Sequence, residues 1–337
     1  MSNFVGVDIG SYSIKLVVLA KDGQSFRLEK IASAYNPVGH FLPGDEKQFE
    51  QLAVTVKGLL VENKLVGKKL AMSLPENHVY SSIVEMPSLT TAELSSAIQW
   101  EAEQHLPISL KSVNLEYSVI EKYDNKMKVL LVAAKKEVVD RLMSFSQLLE
   151  SEISMLETSL LSLGRSYLLN TNDKSSVMLC NMGALSTDIM ILKEAKPVFL
   201  HSVATGGLAL TRGIERGLSI KASQAEEYKR AYGVDKSHLE GKVASVVSPV
   251  LNVILSEVKK SIQYFQSEDQ HGQIGKMVIA GGGAYLPELA SYMTGVLGLE
   301  VMLLNPFEKI KVAQGVSLPK EIASFGIAMG LAAREVE

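Results

Sequence analysis

The chain carries one short pattern twice. The first copy runs Val-Gly-Val-Asp-Ile-Gly-Ser-Tyr-Ser-Ile-Lys and ends at Lys15, and the second runs Met-Leu-Cys-Asn-Met-Gly-Ala-Leu-Ser-Thr-Asp-Ile from Met178. The offset is 173 residues, measured from Asp8 to Asn181. Each copy predicts an apolar strand, a glycine turn with small hydroxyl residues, and a second strand. Two such hairpins facing each other across a cleft would hold a polyphosphate from both sides, which predicts nucleotide binding between two related domains.

Composition excludes several other classes of function. A chain of 337 residues suggests two domains. The net charge of −3 argues against nucleic-acid binding. Cys180 is the only cysteine, which excludes an intrachain disulfide and a thiolate-rich metal site. We expect no signal peptide and no membrane span, because no charge-free apolar run approaches 18 residues. The expected location is therefore cytoplasmic.

The predicted elements follow the same duplicated order. Apolar alternation and turn residues predict three strands, a helix and a strand in the first half: Asn3–Asp8, Ser13–Ala20, Phe26–Ala34, Phe49–Glu62 and Lys68–Ser73. The second half repeats three strands, then helices and a strand: Ser176–Asn181, Thr187–Lys193, Val198–Val203, Leu208–Gly217, Lys221–Tyr232, Ser248–Ser267 and Lys276–Ala280. Helices at Leu286–Leu297 and Ile322–Arg334 close the chain. Strands alternating with long helices predict an α/β fold.

A stretch from Val79 to Ser154 interrupts this plan with the order strand, helix, strand, strand, helix. Its first helix begins with a capping box, Thr90 and Glu93, and ends before Pro107. Asp124-Asn125 predicts a hairpin turn. Trp100 and Met86 are expected in the core of this part. We therefore predict a first lobe (1–78, 155–175 and 321–337), an inserted subdomain (79–154) and a second lobe (176–320, with helical part 208–275).

The first loop is the strongest local signal for phosphate binding. Gly10 allows a tight turn and close approach of a ligand, and successive backbone N–H groups there can donate to phosphate oxygens. Lys15 would reach a β- or γ-phosphate, and Asp8 would hold Mg²⁺ through water. The alternative is a plain β-hairpin, which the second copy makes less attractive. In that copy the acid is replaced by Asn181, which cannot accept a proton, so the departure concerns turnover more than binding.

Three further motifs fit the same site, and each has an ordinary structural alternative. Gly206 and Gly207 begin a helix where a ribose or phosphate could pack, although a strand-to-helix turn alone gives the same pattern. Glu226 and Lys229 lie three apart on one helix face, where they suit ribose hydroxyls, although a surface ion pair gives the same pattern. A buried strand running into Gly281-Gly282-Gly283 makes a backbone platform for a purine, or a phosphate site of another α/β fold.

The order of these motifs resembles the superfamily of actin, sugar kinases and heat-shock chaperones. The inserted segments Met-Pro-Ser-Leu-Thr-Thr-Ala-Glu-Leu (from Met86) and Gln-Trp-Glu-Ala-Glu-Gln-His-Leu-Pro-Ile (from Gln99) resemble the PilM family of type IV pilus assembly proteins, actin-like proteins related to the division protein FtsA. The resemblance covers nearly the whole chain. It implies a duplicated actin-like (ribonuclease H-like) fold of two lobes, with ATP and Mg²⁺ held between them.

Carried over motif by motif, the resemblance implies a set of contacts. The phosphates and Mg²⁺ would meet Asp8, Gly10, Ser11, Ser13, Lys15, Gly183, Ala184 and Ser186, with Asn181 near the metal. The ribose and adenine would meet Gly206, Gly207, Glu226, Lys229, Gly281, Gly282 and Tyr285. Glu157, at the start of the helix that joins the lobes, would orient the attacking water.

The resemblance also implies a role and a partner. Such proteins are cytoplasmic adaptors, peripheral to the inner membrane, that bind the N-terminal cytoplasmic segment of PilN and other inner-membrane components of the pilus. The acidic end from Leu331 to Glu337 disfavours direct membrane insertion. Two rival hypotheses from the same superfamily stay open: a small-molecule kinase and a filament-forming protein. Whether ATP is hydrolysed also stays open, because of Asn181.

Overall fold

The structure is a computed structural model that describes residues 4–23, 25–106, 108–268 and 272–334. Asn3, Pro107 and residues 335–337, which entered the predictions above, lie outside these ranges. The strands are β1 Val5–Ile9, β2 Ser13–Asp22, β3 Ser25–Tyr35, β4 Leu70–Leu74, β5 Val79–Pro87, β6 Val113–Tyr123, β7 Lys126–Lys135, β8 Ile153–Thr158, β9 Val177–Met182, β10 Thr187–Lys193, β11 Lys196–Val203, β12 Lys276–Ala280, β13 Glu300–Leu303 and β14 Lys311–Val312. The α-helices are α1 Glu46–Glu62, α2 Thr91–His105, α3 Lys136–Leu149, α4 Ser159–Leu169, α5 Gly207–Leu218, α6 Ala222–Tyr232, α7 Lys242–Glu268, α8 Leu289–Leu297 and α9 Gly326–Ala332.

The two lobes are built on sheets of the same design. In the first, the order is β14-β3-β2-β1-β4-β8, with β1–β2–β3 antiparallel and β1, β4 and β8 parallel. In the second, the order is β11-β10-β9-β12-β13, with β9–β10–β11 antiparallel and β9, β12 and β13 parallel. All five residues of β1 are buried, as expected for a central strand covered on both faces. The predicted duplication is therefore confirmed.

The inserted subdomain is a three-stranded sheet, β5-β7-β6, with α2 packed on one face. The predicted capping box of Thr90 and Glu93 is present, and β6 turns into β7 at 124–125. Met86 lies in the core as expected, but Trp100 is 66% exposed, on the outer face of α2. The subdomain touches the second lobe through an ion pair of 2.8 Å between Lys196 Nζ and Glu121 Oε1.

Two domain boundaries differ from the predictions. The helix α3 follows the predicted order, but its apolar face (Val138, Leu142 and Phe145) packs into the first lobe with α1, so the inserted subdomain covers 79–135. The chain also returns to the first lobe earlier than residue 321. Phe307 and Ile310 pack against strands β2 and β3 there, and β14 joins that sheet. In both cases long-range packing assigns the segment.

The lobes meet around α4 and α9, which lie between the two sheets. Close approach of these helices requires a glycine, because a Cβ on Gly330 would lie 1.8 Å from the carbonyl oxygen of Ser162. The two chain segments that cross between the lobes are held together by buried Asn170. Its Nδ2 donates to the Pro306 carbonyl (2.7 Å) and its Oδ1 accepts from the Lys309 N–H (2.9 Å).

Among the described residues, one helical stretch, Leu239–Glu268, has the length and apolar composition of a membrane span. Its longest charge-free run, 243–256, is shorter than 18 residues, which is why the sequence predicted none. Side chains along one face, including Val247, Leu251 and Val258, lie in the core of the second lobe. Core helices have the same length and composition.

Candidate functional site

A cavity of about 600 Å³ lies between the two lobes. Its walls come from the β1–β2 turn of the first lobe and the β9–β10 turn of the second, together with α6, the start of α5, and the segments 281–286 and 319–327. This volume is within the range of small-molecule and cofactor sites. The predicted cleft between duplicated hairpins is therefore present.

The two turns have the same local geometry. The Gly10 N–H donates to the Ser13 carbonyl at 3.1 Å, and the Gly183 N–H donates to the Ser186 carbonyl at 2.9 Å. A Cβ at either glycine would lie 3.0 Å from that same carbonyl oxygen, which is tighter than ordinary contact. Both turns therefore favour glycine, and both contribute backbone to the cavity lining.

The strands beside the turns carry matched polar pairs with different charges. In the first lobe Asp8 stands opposite Lys15, with 3.7 Å between Asp8 Oδ2 and Lys15 Nζ. In the second, Asn181 stands opposite Asp188 and its Nδ2 donates to Asp188 Oδ2 at 3.4 Å. The 173-residue offset places Asp188 where the first lobe has Lys15. The second loop therefore keeps a carboxylate, on the neighbouring strand.

Burial raises the pKa of Asp188, against hydrogen bonds from Ser202, Asn181 and Ser186. The Ser202 hydroxyl donates to Oδ1 at 2.6 Å, while Oδ2 receives only longer contacts. A carboxylate with a raised pKa is a better proton acceptor at neutral pH. Asp188 lines the cavity and is thus placed to accept a proton from a water molecule there.

Two buried side chains hold the first loop in position. Asn36, which is fully buried, donates from Nδ2 to the Gly10 carbonyl at 2.8 Å, and its N–H donates to the Tyr12 carbonyl at 2.9 Å. The Ser73 hydroxyl donates to Asp8 Oδ1 at 2.8 Å. The backbone of the turn and the carboxylate of Asp8 are therefore fixed before any ligand arrives.

The predicted ribose pair belongs to a partly buried network. Lys229 Nζ lies 2.6 Å from Glu226 Oε2, 2.9 Å from Thr211 Oγ1 and 3.2 Å from the Gly207 carbonyl. Burial opposes ionisation of Glu226, but hydrogen bonds from Lys229 and Thr211 outweigh it and hold its pKa below the usual value. Burial lowers the pKa of Lys229. The pair is therefore a structured polar wall of the cavity and differs from a mobile surface ion pair.

The glycine platform after β12 is shaped by its contacts with the second loop. Gly281 has φ +82°, and a Cβ there would lie 2.5 Å from the Met182 carbonyl oxygen. A Cβ on Gly282 would meet nothing within 4 Å, so this residue leaves open space. The Tyr285 hydroxyl accepts from the Ala323 N–H at 2.8 Å, which ties the platform to the segment that returns to the first lobe.

The structure brings most of the predicted contact residues to the lining of one cavity. These residues are Asp8, Gly10, Ser11, Ser13, Lys15, Asn181, Gly183, Ala184, Ser186, Gly207, Glu226, Lys229, Gly281, Gly282 and Tyr285. Gly206 does not line the cavity, so the predicted contact of Gly206 with the ribose is corrected here. A Cβ there would lie 2.6 Å from the Gly183 carbonyl oxygen, so this glycine lets α5 pack behind the second loop.

The water-orienting role expected for Glu157 is contradicted by its position. Its buried carboxylate does not line the cavity but is bound by Arg165, with Nη1 2.6 Å from Oε2, and by Arg334. Burial raises and these arginines lower its pKa, with the net effect a lowered value. Glu157 therefore ties α4 to the end of α9. The missed residue is Asp188, which the repeat offset itself could have revealed.

The donor set suits a nucleoside triphosphate better than a bare metal ion. Over the ranges that the structure describes, no group of three or more His, Cys, Asp or Glu side chains could enclose a metal. Mg²⁺ in nucleotide sites keeps several waters and is held by one or two carboxylates together with phosphates. Asp8 and Lys15, beside an open backbone turn, fit that arrangement.

The fold and the cleft define the class of protein as actin-like, with two duplicated lobes around a nucleotide-sized site. The chain belongs to the family described as type IV pilus assembly protein PilM, whose family model matches residues 6–336. The chain is similar to the solved PilM-PilN type IV pilus biogenesis complex, with 24% identity, 98% of this chain and 97% of that chain covered, and a TM-score of 0.85.

Two further solved structures share the fold. The ethanolamine utilization protein EutJ from Carboxydothermus hydrogenoformans is 18% identical over 98% of this chain and 88% of that one, with a TM-score of 0.57. MreB5 of Spiroplasma citri, solved with ADP bound, is 12% identical over 97% and 94%, with a TM-score of 0.55. These likenesses confirm the predicted actin-like α/β architecture.

Proposed function

We propose that this protein is an ATP-binding cytoplasmic adaptor of the type IV pilus inner-membrane platform, and that it binds the N-terminal cytoplasmic segment of a PilN protein. The observation that carries the first part is the pair of equivalent glycine turns facing one cavity from opposite lobes. Two hairpins with the same hydrogen bond line a cavity of about 600 Å³ from opposite lobes. A hairpin that served only the fold would not require this matched partner.

Different residues contact different parts of the nucleotide. Lys15 supplies a cation for the β- or γ-phosphate, and the turns at Gly10 and Gly183 offer backbone to the phosphate chain. Glu226 and Lys229 face the ribose, and the platform at Gly281 and Gly282 accepts the flat base. Bound Mg²⁺ would neutralise phosphate charge, held by Asp8 through water.

Hydrolysis is expected to be weak. Asn181 is neutral, so one of the two carboxylates that a symmetric site would carry is missing from its strand. Asp188 remains as the proton acceptor in the second loop. Binding of ATP therefore serves mainly to hold the lobes together, as a ligand shifts a conformational equilibrium by its differential affinity.

A second cavity supports the partner assignment. It has a volume of about 500 Å³ and lies between the first lobe and the inserted subdomain. Its apolar lining comes from both parts, with Leu42 and Val138 from the first lobe and Ile108 and Ala133 from the subdomain. Charged side chains (Lys135, Glu137 and Arg141) line it as well. A short extended segment with apolar side chains fits such a groove. PilN is the named companion in the PilM-PilN complex that this chain resembles.

One residue belongs to both cavities. Asn77, in the 3-10 turn Glu76–His78, lines the interlobe cavity and the second cavity. A shift of that turn when the lobes close would reshape the second cavity. This supports a coupled response of the two sites, in which ATP changes the affinity for the peptide.

Calorimetry with Mg-ATP tests the nucleotide site. We expect Asp8→Ala and Lys15→Ala each to weaken binding about tenfold or more, since a charge-assisted hydrogen bond contributes about 1.5–3 kcal/mol. Lys47→Ala is the matched control, because Lys47 is an exposed lysine of α1 outside the cavity. Circular dichroism should stay unchanged, and Lys15→Gln repeats the test with a side chain of similar length. Equal affinities in wild type and variants would reject the site.

The partner is tested with a synthetic peptide of the PilN N-terminal segment. We expect Ile108→Arg, in the second cavity, to abolish binding, and Val119→Arg, exposed on β6, to leave it unchanged. Peptide affinity should change when Mg-ATP is present. An affinity that ATP does not alter would remove the coupling and keep the adaptor role.

A further inference from the structure

One contact crosses the interlobe cavity between residues that no part of the proposed function uses. Tyr12 lies at the tip of the β1–β2 turn in the first lobe, and Arg230 lies on α6 in the second. The Arg230 guanidinium carbon is 5.0 Å from the centre of the Tyr12 ring. Both residues line the cavity and both are partly exposed, so they stand at its solvent-facing mouth.

Each side of this contact is held in place by its own lobe. Tyr12 packs edge-to-face on Tyr35 with ring centres 5.5 Å apart, and its carbonyl accepts from the buried Asn36. Arg230 Nε lies 3.1 Å from Glu226 Oε1, the carboxylate that also binds Lys229. The contact thus joins two side chains that their own lobes already hold in place, which indicates that it stabilises the closed arrangement of the lobes.

We propose that Tyr12 and Arg230 form a clasp between the lobes that must open before the nucleotide leaves, and so sets the rate of nucleotide release. The clasp rests on the proposed nucleotide binding, whose residues lie behind it in the cavity. Because the two side chains belong to opposite lobes, any widening of the cleft separates them. Arg230 also connects the clasp to the ribose wall through Glu226.

The size of the effect follows from the exposure of the pair. Tyr12 is 39% exposed, so the contact falls at the weaker end of cation–π interactions. Its loss should speed cleft opening about two- to fivefold. A Phe ring keeps most of this attraction, since the ring face and not the hydroxyl meets the cation.

The test measures release of a fluorescent ATP analogue by stopped flow, with excess ATP as the chase. Tyr12→Ala and Arg230→Ala should each raise the release rate two- to fivefold, and the double variant should be no faster than the faster single one. Tyr12→Phe should stay close to wild type. Arg216→Ala, an exposed arginine of the same lobe outside the cavity, is the control and should match wild type.

Two results would overturn the clasp while nucleotide binding persists. One is an unchanged release rate in Tyr12→Ala. The other is a double variant whose effect is the product of the singles, since Arg230 would then act through its carboxylate neighbours Glu226 and Glu321 and not through Tyr12. If wild type bound no nucleotide, the proposed function would fail separately. Hydrogen–deuterium exchange of residues 10–13 and 35–36 without nucleotide would still decide the clasp, with two- to fivefold faster exchange expected in Tyr12→Ala and equal exchange overturning it.

Discussion

A buried glutamate, Glu76, lies next to Asn77, the residue shared by the two cavities, and it provides a sharp test of the structure. Glu76 is buried at the start of the 3-10 turn, where its Oε1 accepts from the Leu160 N–H of α4 at 2.9 Å. Burial, with a smaller contribution from the charge of Asp188, raises the pKa of Glu76 to about 8. The side chain is therefore expected to be largely protonated in the folded protein at neutral pH. Glu76→Gln imitates that form and keeps the acceptor for Leu160.

The sign of the pH effect follows from linkage. The unfolded chain releases the Glu76 proton near its ordinary pKa of 4.5, and the folded chain holds it to about 8. Between these values the folded state binds more protons, so the contribution of Glu76 is full below about pH 4.5 and is lost as the pH rises to about 8. At 1.36 kcal/mol per unit the total is about 5 kcal/mol, of which about 3.5 falls between pH 5 and pH 8.

Urea unfolding of wild type and Glu76→Gln at pH 5, 6.5 and 8 measures this. The free energy of unfolding of the variant, relative to wild type, should rise by about 3.5 kcal/mol across the series. Glu240→Gln is the control, because Lys242 lowers the pKa of exposed Glu240 below this window, and its difference should be flat. A constant difference for Glu76→Gln would refute the buried protonated carboxyl.

Two further predictions concern the second loop and the interlobe helices. We expect Asn181→Asp to leave nucleotide binding unchanged and to speed phosphate release in a coupled assay. Asp188→Asn should lose residual hydrolysis. Equal hydrolysis rates in wild type and both variants would exclude a role for this pair. Because the new carboxylate would face Asp188, whose pKa burial already raises, the stability of Asn181→Asp relative to wild type should also fall as the pH rises. Gly330→Ala should lower the unfolding free energy by about 3 kcal/mol, since its methyl group would overlap the Ser162 carbonyl, and an unchanged melting curve would contradict the close helix crossing.

The features that sequence predicted well are those fixed by neighbouring residues. The hairpin turns at Gly10 and Gly183 and the capping box at Thr90 depend on a few consecutive positions, so a short pattern specifies them. The duplicated order of strands follows from the same local signals, repeated at a fixed offset. These parts predict the position of the cleft from the sequence alone.

The features that sequence missed depend on distant partners. An apolar face on α3 shows that the helix is buried but not that α1 is what covers it. Glu157 sits at a plausible strand-to-helix junction, yet its carboxylate is turned away from the cavity by Arg165 and by Arg334, which is 177 residues further on. Trp100 is apolar but exposed, which composition cannot reveal. Asp188 is a different case, because the repeat offset matches it to Lys15, a residue of opposite charge, and its pairing with Asn181 is formed across the hairpin.

The tie at Asn170 restricts how the protein can move. Asn170 links the outgoing and returning crossovers, so separation or sliding of the lobes at that end would break its buried hydrogen bonds. Rotation of one lobe about an axis near Asn170 would keep these bonds, and displacements would then grow with distance from Asn170. A ligand that binds far from Asn170 would therefore meet a large displacement for a rotation of the lobes by only a few degrees.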